Sequence, residues 1–374
     1  MKFNRPVALL IVWVAAVLVV SAQVTVYRHA NFEIFRLSWH NLLAGKDLYG
    51  SYPPLDVFIY TPTFAVLFAP FALLPLWLGI LLWNAANAGA LYWGLGRALD
   101  PDAAFVARAI VLLDAIGSMQ NVQSNALVAG LMIMAFGSLD RRQEFRAAVA
   151  VGLGTIVKVF PLAAATFAIF RPYRVPRFTL YGVLVGLVLL ALPLLVISPS
   201  ALLEQYRSWN HLQSGHERGL SIMQHVRMWS GSDVPSRPIQ LIGLVVLLAP
   251  LVQVPHWASR RFRLLFLAST LMFCVLFNHA AESPSFVIAV AGVAIWFAVS
   301  RRDAVAWIVL GIVFLGTTLS ATDVIPGVIR QQFFVPYKVK TLPIVLVWII
   351  TQVELWRRSV TVPFSEPVRV ASAT

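Results

Sequence analysis

Polar side chains that could do chemistry are gathered at a few points of this sequence. They are Asn31-Phe-Glu33, Lys46-Asp47-Leu-Tyr49, Tyr52-Pro-Pro-Leu-Asp56, Gln120-Asn121-Val-Gln123-Ser-Asn125, Lys158 and Asn278-His279-Ala-Ala-Glu282-Ser-Pro284. Each lies at or between apolar runs. An ionisable group held at membrane depth is costly enough to count as a functional hypothesis. His279 and Glu282 are three apart at the end of an apolar run, so they can face one side and share a polar network; a helix cap before Pro284 fits the same spacing. Arg207, His211, His216 and Arg218 occupy one long polar stretch and could meet phosphate or sugar, or serve only to solvate it. Metal chemistry finds little support, because His211 and His216 lack ligand spacing and there is no His-x-x-x-His, Asp-x-Asp or cysteine pair. There is also no Walker loop, and no Gly-x-Gly-x-x-Gly after a strand, so no nucleotide cofactor is expected.

The elements that must position these groups are apolar helices. Hydrophobic residues make up 59% of the 374 positions and charged residues 12%, far below the quarter charged that is usual in soluble domains. Apolar stretches recur at about 7–26, 76–97, 104–119, 123–139, 146–158, 160–171, 178–198, 238–254, 263–279, 284–300, 304–321 and 341–356. A spanning helix needs about 20 residues, so the expectation is an all-α polytopic integral membrane protein of about twelve transmembrane helices. Runs such as Ala8 to Val20 do not alternate, which excludes a closed barrel.

The net charge of +13 comes from arginine groups at the ends of the apolar runs. That pattern reads as positive-inside anchoring, and no nucleic-acid partner is expected. With Lys2 and Arg5 cytoplasmic, the clusters around Arg97, Arg141, Arg171, Arg260, Arg301 and Arg357 share their side, and both termini are expected to be cytoplasmic. The start also resembles a signal peptide; its length and the many later spans favour a retained helix. The long segments 27–75 and 199–237 then face outward. Segment 62–75 is too short and proline-rich for a span and reads as a juxtamembrane or re-entrant helix within the first outer segment; 199–237 reads as a second outer loop. Lys158 and Pro161 fall at the outer tip of the hairpin made by 146–158 and 160–171. The chain reads as one domain, 1–374, without a soluble part.

Leu42-Leu-Ala-Gly-Lys-Asp-Leu-Tyr49, Tyr52-Pro-Pro54, Thr61-Pro62 through Pro75, Trp83-Asn84, Gln120 to Asn125, Gly152-Leu-Gly154 and Lys158-Val-Phe-Pro161 resemble glycosyltransferase family 87. The resemblance implies the C-type glycosyltransferase fold of a cell-envelope enzyme in the bacterial inner membrane. Such an enzyme moves a sugar, a mannose-like hexose or a pentose, from a polyprenyl-phosphate donor to a glycan or glycolipid acceptor outside the membrane. The reaction it implies is an inverting displacement, with a carboxylate deprotonating the acceptor hydroxyl while the phosphate departs. The family's base is an aspartate in a pattern like Asp-Phe-x-x-Tyr after the first span. Here that position is Asn31, which cannot accept the proton. Asp56, Glu33 and Asp47 are the substitutes, ranked in that order. Each also has a structural reading: Asp56 as a helix cap, Glu33 as a partner of Arg36, Asp47 as a turn cap. Lys158 would hold the donor phosphate, or snorkel to the interface. Asn121, Gln123, Asn125, His279, Glu282, Arg207 and Tyr52 complete the expected substrate-binding set, with Tyr52 offering a face to a sugar ring. The rival reading is a non-catalytic carrier or flippase of lipid-linked saccharides, favoured if the missing aspartate means lost catalysis.

Overall fold

The structure is a computed structural model, and it describes residues 4–27, 29–213 and 219–357. Among these residues every regular element is helical and there is no strand. Three helical runs are long and apolar enough to cross a membrane, Arg5–Tyr27, Pro172–Leu195 and Val339–Trp356. Six shorter apolar helices, from Pro62–Ala72 to Ala304–Thr318, accompany them.

The first of the long runs is α1 (Arg5–Tyr27), whose Ile11 and Val19 are more than half exposed. It packs on α4 (Leu76–Ala98) and α5 (Pro101–Gln120). Between α1 and α4 lie α2 (Ala30–Leu43) and α3 (Pro62–Ala72). The short α3 has the start expected of Thr61-Pro62: the Thr61 hydroxyl accepts from the Phe64 amide at 3.3 Å, and proline opens the first turn. Helix α2 is absent from the pattern of apolar runs, because its stripe is broken by polar residues. Its Phe32, Phe35, Trp39 and Leu42 recur at helical spacing and are buried. Phe35 meets Tyr60, Phe64, Phe68 and Trp83 edge-on at 5.0–6.0 Å between ring centroids, which fastens α2 to α3 and α4.

The bundle's centre is α6 (Asn125–Asp140), α12 (Arg260–Leu276) and α13 (Phe286–Val299). The residues of α13 from Phe286 to Ala298 are all buried, as an all-round apolar helix demands, and it packs on α5, α6 and α12. Helices α4 and α6 approach so closely that a Cβ on Gly130 would lie 2.3 Å from the Ala90 carbonyl carbon. Glycine is the condition for that contact, because any side chain there would hold the two backbones apart.

After α6 the chain forms α7 (Glu144–Val157), a 3₁₀ helix (Phe160–Phe170) and α8 (Val175–Ala191). The segment 199–237 is not a plain loop: it carries α9 (Pro199–Gln213) and the amphipathic α10 (Ile222–Ser230) before α11 (Ser236–Leu248). The C-terminal part holds α14 (Ala304–Val313), which runs into a π-helical turn at Phe314–Thr318, then a single-turn α15 (Gly327–Ile329) and α16 (Leu342–Trp356).

The arginine groups meet at one end of the bundle. The Asp140 carboxylate takes Arg263 at 2.8 Å, Arg171 at 3.8 Å and Arg260 at 3.9 Å. Arg174 pairs with Glu144, and Arg261 with Glu354 at 3.0 Å. Charge-assisted bonds thus tie α6, α7, α12, α16 and the end of the 3₁₀ helix together.

Candidate functional site

At the opposite end of α6 and α7, four of the singled-out residues join. The last turn of α7 hands over to Lys158, whose extended backbone (φ −147°, ψ 141°) turns the chain back through Pro161. A Cβ on Gly154 would sit 2.9 Å from the Pro161 ring, so the hairpin closes only over glycine. The half-buried Lys158 Nζ donates to Asn125 Oδ1 at 2.7 Å. Asn125 Nδ2 donates to Gln123 Oε1 at 2.5 Å, and Gln123 Nε2 to Glu282 Oε2 at 2.8 Å. The two charged ends dictate how both amides are turned: an ammonium needs the Asn125 carbonyl, and a carboxylate needs the Gln123 amino group.

The 121–124 turn that carries this chain is strained. Val122 is fully buried at φ +52°, a left-handed conformation that a β-branched residue rarely adopts. Its carbonyl is held by the Trp83 indole N–H at 3.0 Å, and the Ser124 hydroxyl donates to Tyr60 at 3.3 Å. The neighbouring Asn121 carbonyl accepts from Asn31 Nδ2 at 2.8 Å. Asn31 therefore stands beside the polar chain as a donor, a part no aspartate could take.

Beside this chain opens a cavity of about 400 Å³ lined by Lys158, His279, Tyr60, Trp209, Gln240 and Cys274, among others. Helix α9 contributes Trp209 to one wall and is locked to the segment 27–75. Gln205 bridges Leu48 and Lys46, Trp209 Nε1 donates to the Ile59 carbonyl at 3.1 Å, and Thr63 meets Tyr206 at 3.2 Å. Tyr49 donates to the Tyr60 carbonyl at 2.9 Å. On the other wall Gln240 donates to the Phe277 carbonyl at 3.0 Å, and the 279–281 turn receives the Leu220 amide on Ala281 at 2.7 Å. Lys338 Nζ donates to the Gly219 carbonyl at 3.1 Å, and Lys340 Nζ to Ser283 at 2.9 Å. Glu282 is close enough for its charge to act on both Lys158 and Tyr60. Burial, above all, pushes the Tyr60 phenol up to about 12, so it stays un-ionised.

The other expected residues fall elsewhere. Asp56 is exposed and is not part of the cavity lining. Glu33 is half-buried, with Arg36 at 3.7 Å. Asp47 is exposed; its carboxylate accepts from the Tyr49 amide at 3.1 Å and its carbonyl from the Tyr52 hydroxyl at 2.6 Å, so Tyr52 closes a turn and is not part of this cavity's lining. Arg207 is exposed on α9, two residues from Trp209. His216 and Arg218 lie outside the described residues. Two buried groups escape the sequence pattern: Asp114, which accepts from Thr318 at 2.7 Å, and Lys340. A carboxylate inside an apolar run is the signal that points to the first of them. Among the described residues no three His, Cys, Asp or Glu side chains are grouped as metal ligands.

A family model described as glycosyltransferase family 87 matches residues 58–280, more than half of the chain. The matched stretch contains the 121–125 turn, Lys158 and His279; Asn31, Glu33, Asp47, Asp56 and Glu282 fall outside it. No curated protein matches the chain.

Proposed function

This chain belongs to glycosyltransferase family 87, and from that premise we propose that it transfers a sugar from a polyprenyl-phosphate donor to a glycan or glycolipid acceptor at the outer face of the bacterial inner membrane. In this reading the apolar helices form about twelve spans of a C-type fold. The arginine-rich end and both termini face the cytoplasm, and the 400 Å³ cavity opens on the other side. The sugar is a mannose-like hexose or a pentose.

The observation that carries the reading is the unbroken chain Lys158–Asn125–Gln123–Glu282 at the cavity. It puts a cation and a carboxylate in one polar system, which is what displacement at an anomeric carbon requires. The acceptor oxygen forms the new bond to the anomeric carbon from the face opposite the phosphate, and the old carbon–oxygen bond breaks with its electron pair going to the phosphate. The acceptor proton passes to a carboxylate. Lys158 meets the charge that grows on the leaving phosphate. His279 and Trp209 border the space left for the sugar.

Glu282 is exposed and, like Asp56, outside the cavity lining, but it is the carboxylate linked through Gln123 and Asn125 to Lys158 in the cavity wall, and we assign it the base. Asp56, Glu33 and Asp47 remain the alternatives in the first outer segment. The test is transfer by purified protein in lipid from labelled polyprenyl-phosphate sugars to membrane glycolipid extract, comparing Glu282→Gln with Asp56→Asn, Glu33→Gln and Asp47→Asn. Glu282→Gln is expected to lower kcat by about 10² or more, with KM for donor little changed. A loss confined to one of the other three moves the base to that residue. No transfer by well-folded wild type from any donor moves the function to a carrier of lipid-linked saccharides.

A further inference from the structure

At the arginine-rich end of the bundle, Arg97, Arg141 and Arg146 make no ion pair among the described residues. The turn between α6 and α7 is Arg141-Arg142-Gln143, with Arg142 in the left-handed region at φ +59° and the Gln143 amide donating to the Ser138 carbonyl at 2.9 Å. Helix α4 ends beside this turn because Gly137 lets the two backbones touch: a Cβ there would lie 2.8 Å from the Arg97 carbonyl oxygen. Three guanidiniums are thereby drawn together. Arg97 donates to Gln143 Oε1, Arg146 Nη1 reaches 3.5 Å from the same oxygen, and Arg141 donates to the Arg97 carbonyl.

Other arginines of this end are differently placed. Asp140 holds Arg171, Arg260 and Arg263, Glu144 holds Arg174, and Glu354 holds Arg261. Arg108 is spent on Tyr92, whose carbonyl accepts at 2.9 Å and whose ring centre lies 3.7 Å from the guanidinium. The first three share neutral oxygens, and the charges of Arg141 and Arg146 act on Arg97. Positive-inside anchoring asks for arginines in a connection, but it does not ask three of them to converge around one amide. Like charges held that close repel one another unless an anion stands among them.

We infer that Arg97, Arg141 and Arg146 bind the phosphate of an anionic phospholipid in the leaflet at that end. A guanidinium fits a phosphate with paired hydrogen bonds, and basic pockets between helix ends seat such head groups. Apolar surface for the lipid chains adjoins the cluster. Trp93, one turn before Arg97 on α4, is 70% exposed, and Phe145, beside Arg146 on α7, is 56% exposed. Aromatic rings so placed mark the level where chains meet head groups. A free phosphate offers the same charge without the chains. The site is independent of the transferase reading, since none of these residues borders the cavity of Lys158.

The test titrates delipidated protein in neutral detergent with phosphatidylglycerol, phosphatidylethanolamine or inorganic phosphate, reading bound lipid by native mass spectrometry and stability by the unfolding midpoint. Wild type is expected to bind phosphatidylglycerol about tenfold or more tightly than phosphatidylethanolamine. Arg97→Gln with Arg146→Gln removes that preference. Arg301→Gln with Arg302→Gln takes the same charge from another connection of the same end and, at physiological salt, leaves the preference within about twofold. If both double variants lose it alike, net charge is the cause and the site falls. Gln143→Glu keeps the side chain's size and supplies the carboxylate that the cluster lacks. It is expected to raise the midpoint of delipidated protein and to abolish the further rise that phosphatidylglycerol gives wild type. A Gln143→Glu protein that still gains the full rise overturns the proposal, whatever the arginine variants do. If inorganic phosphate raises the wild-type midpoint and phosphatidylglycerol is not retained, the cluster takes a free anion and the lipid assignment fails.

Discussion

At the scale of single residues, Val122 shows how a site is held against its own backbone preference. A left-handed conformation costs about 1–2 kcal/mol for an L-residue. Burying the side chain returns about 1.5–3 kcal/mol, which is why a valine survives there. Val122→Gly relieves the strain but gives up the side chain's burial, which outweighs it, and adds backbone freedom. It is expected to lower stability by about 1 kcal/mol, read as a reduced unfolding midpoint in detergent. Sequence makes Lys158, Asn125, Gln123 and Glu282 visible one at a time, because each interrupts apolar surroundings. It does not show their linkage, since Gln123 and Glu282 are 159 positions apart and only the packing of α13 against α5 and α6 brings them together. Ranking Asp56, Glu33 and Asp47 by their nearness to a motif leaves out the direction in which that segment folds. Its carboxylates turn to solvent, to Arg36 and to the Tyr49 amide.

At the scale of elements, the hairpin of α7 and the 3₁₀ helix sets where the Lys158 ammonium stands. Gly154→Val puts a branched side chain where even a Cβ would be 2.9 Å from Pro161, so the two arms must part. Displacements of about 1 Å near reacting groups can cost 10²-fold in rate. Transfer is therefore expected to fall at least tenfold with the protein still folded, measured as kcat beside an unchanged circular dichroism spectrum. The hairpin is legible because Arg residues flank both arms and Lys158-Pro161 stands between them. Helix α2 is not legible by hydropathy, and α9 and α10 are hidden in a stretch whose polarity suggests a loop. The buried faces become obvious only once Gln205, Tyr206 and Trp209 of α9 have partners in the segment 27–75 and Met223 and His225 of α10 are buried.

At the scale of the whole molecule, the sidedness proposed from the arginine clusters is open to direct test. The one cysteine of the chain, Cys274, is buried, so a thiol introduced at an exposed position is the accessible one. Lys46→Cys is expected to react with a membrane-impermeant maleimide added outside intact cells, and Arg301→Cys only after the membrane is opened. Equal labelling of both would overturn the orientation. The two ends also differ in what binds them. At one end Asp140, Glu144 and Glu354 are gripped by arginines, whereas α9 meets the segment 27–75 through neutral hydrogen bonds of Gln205, Tyr206 and Trp209. Mechanically the bundle is a peg, stiff at its hinge and compliant at its jaws, and regions held by fewer strong bonds open first. Warming should spread the jaws before the hinge gives way, so that activity disappears reversibly several degrees below the temperature at which the helices melt.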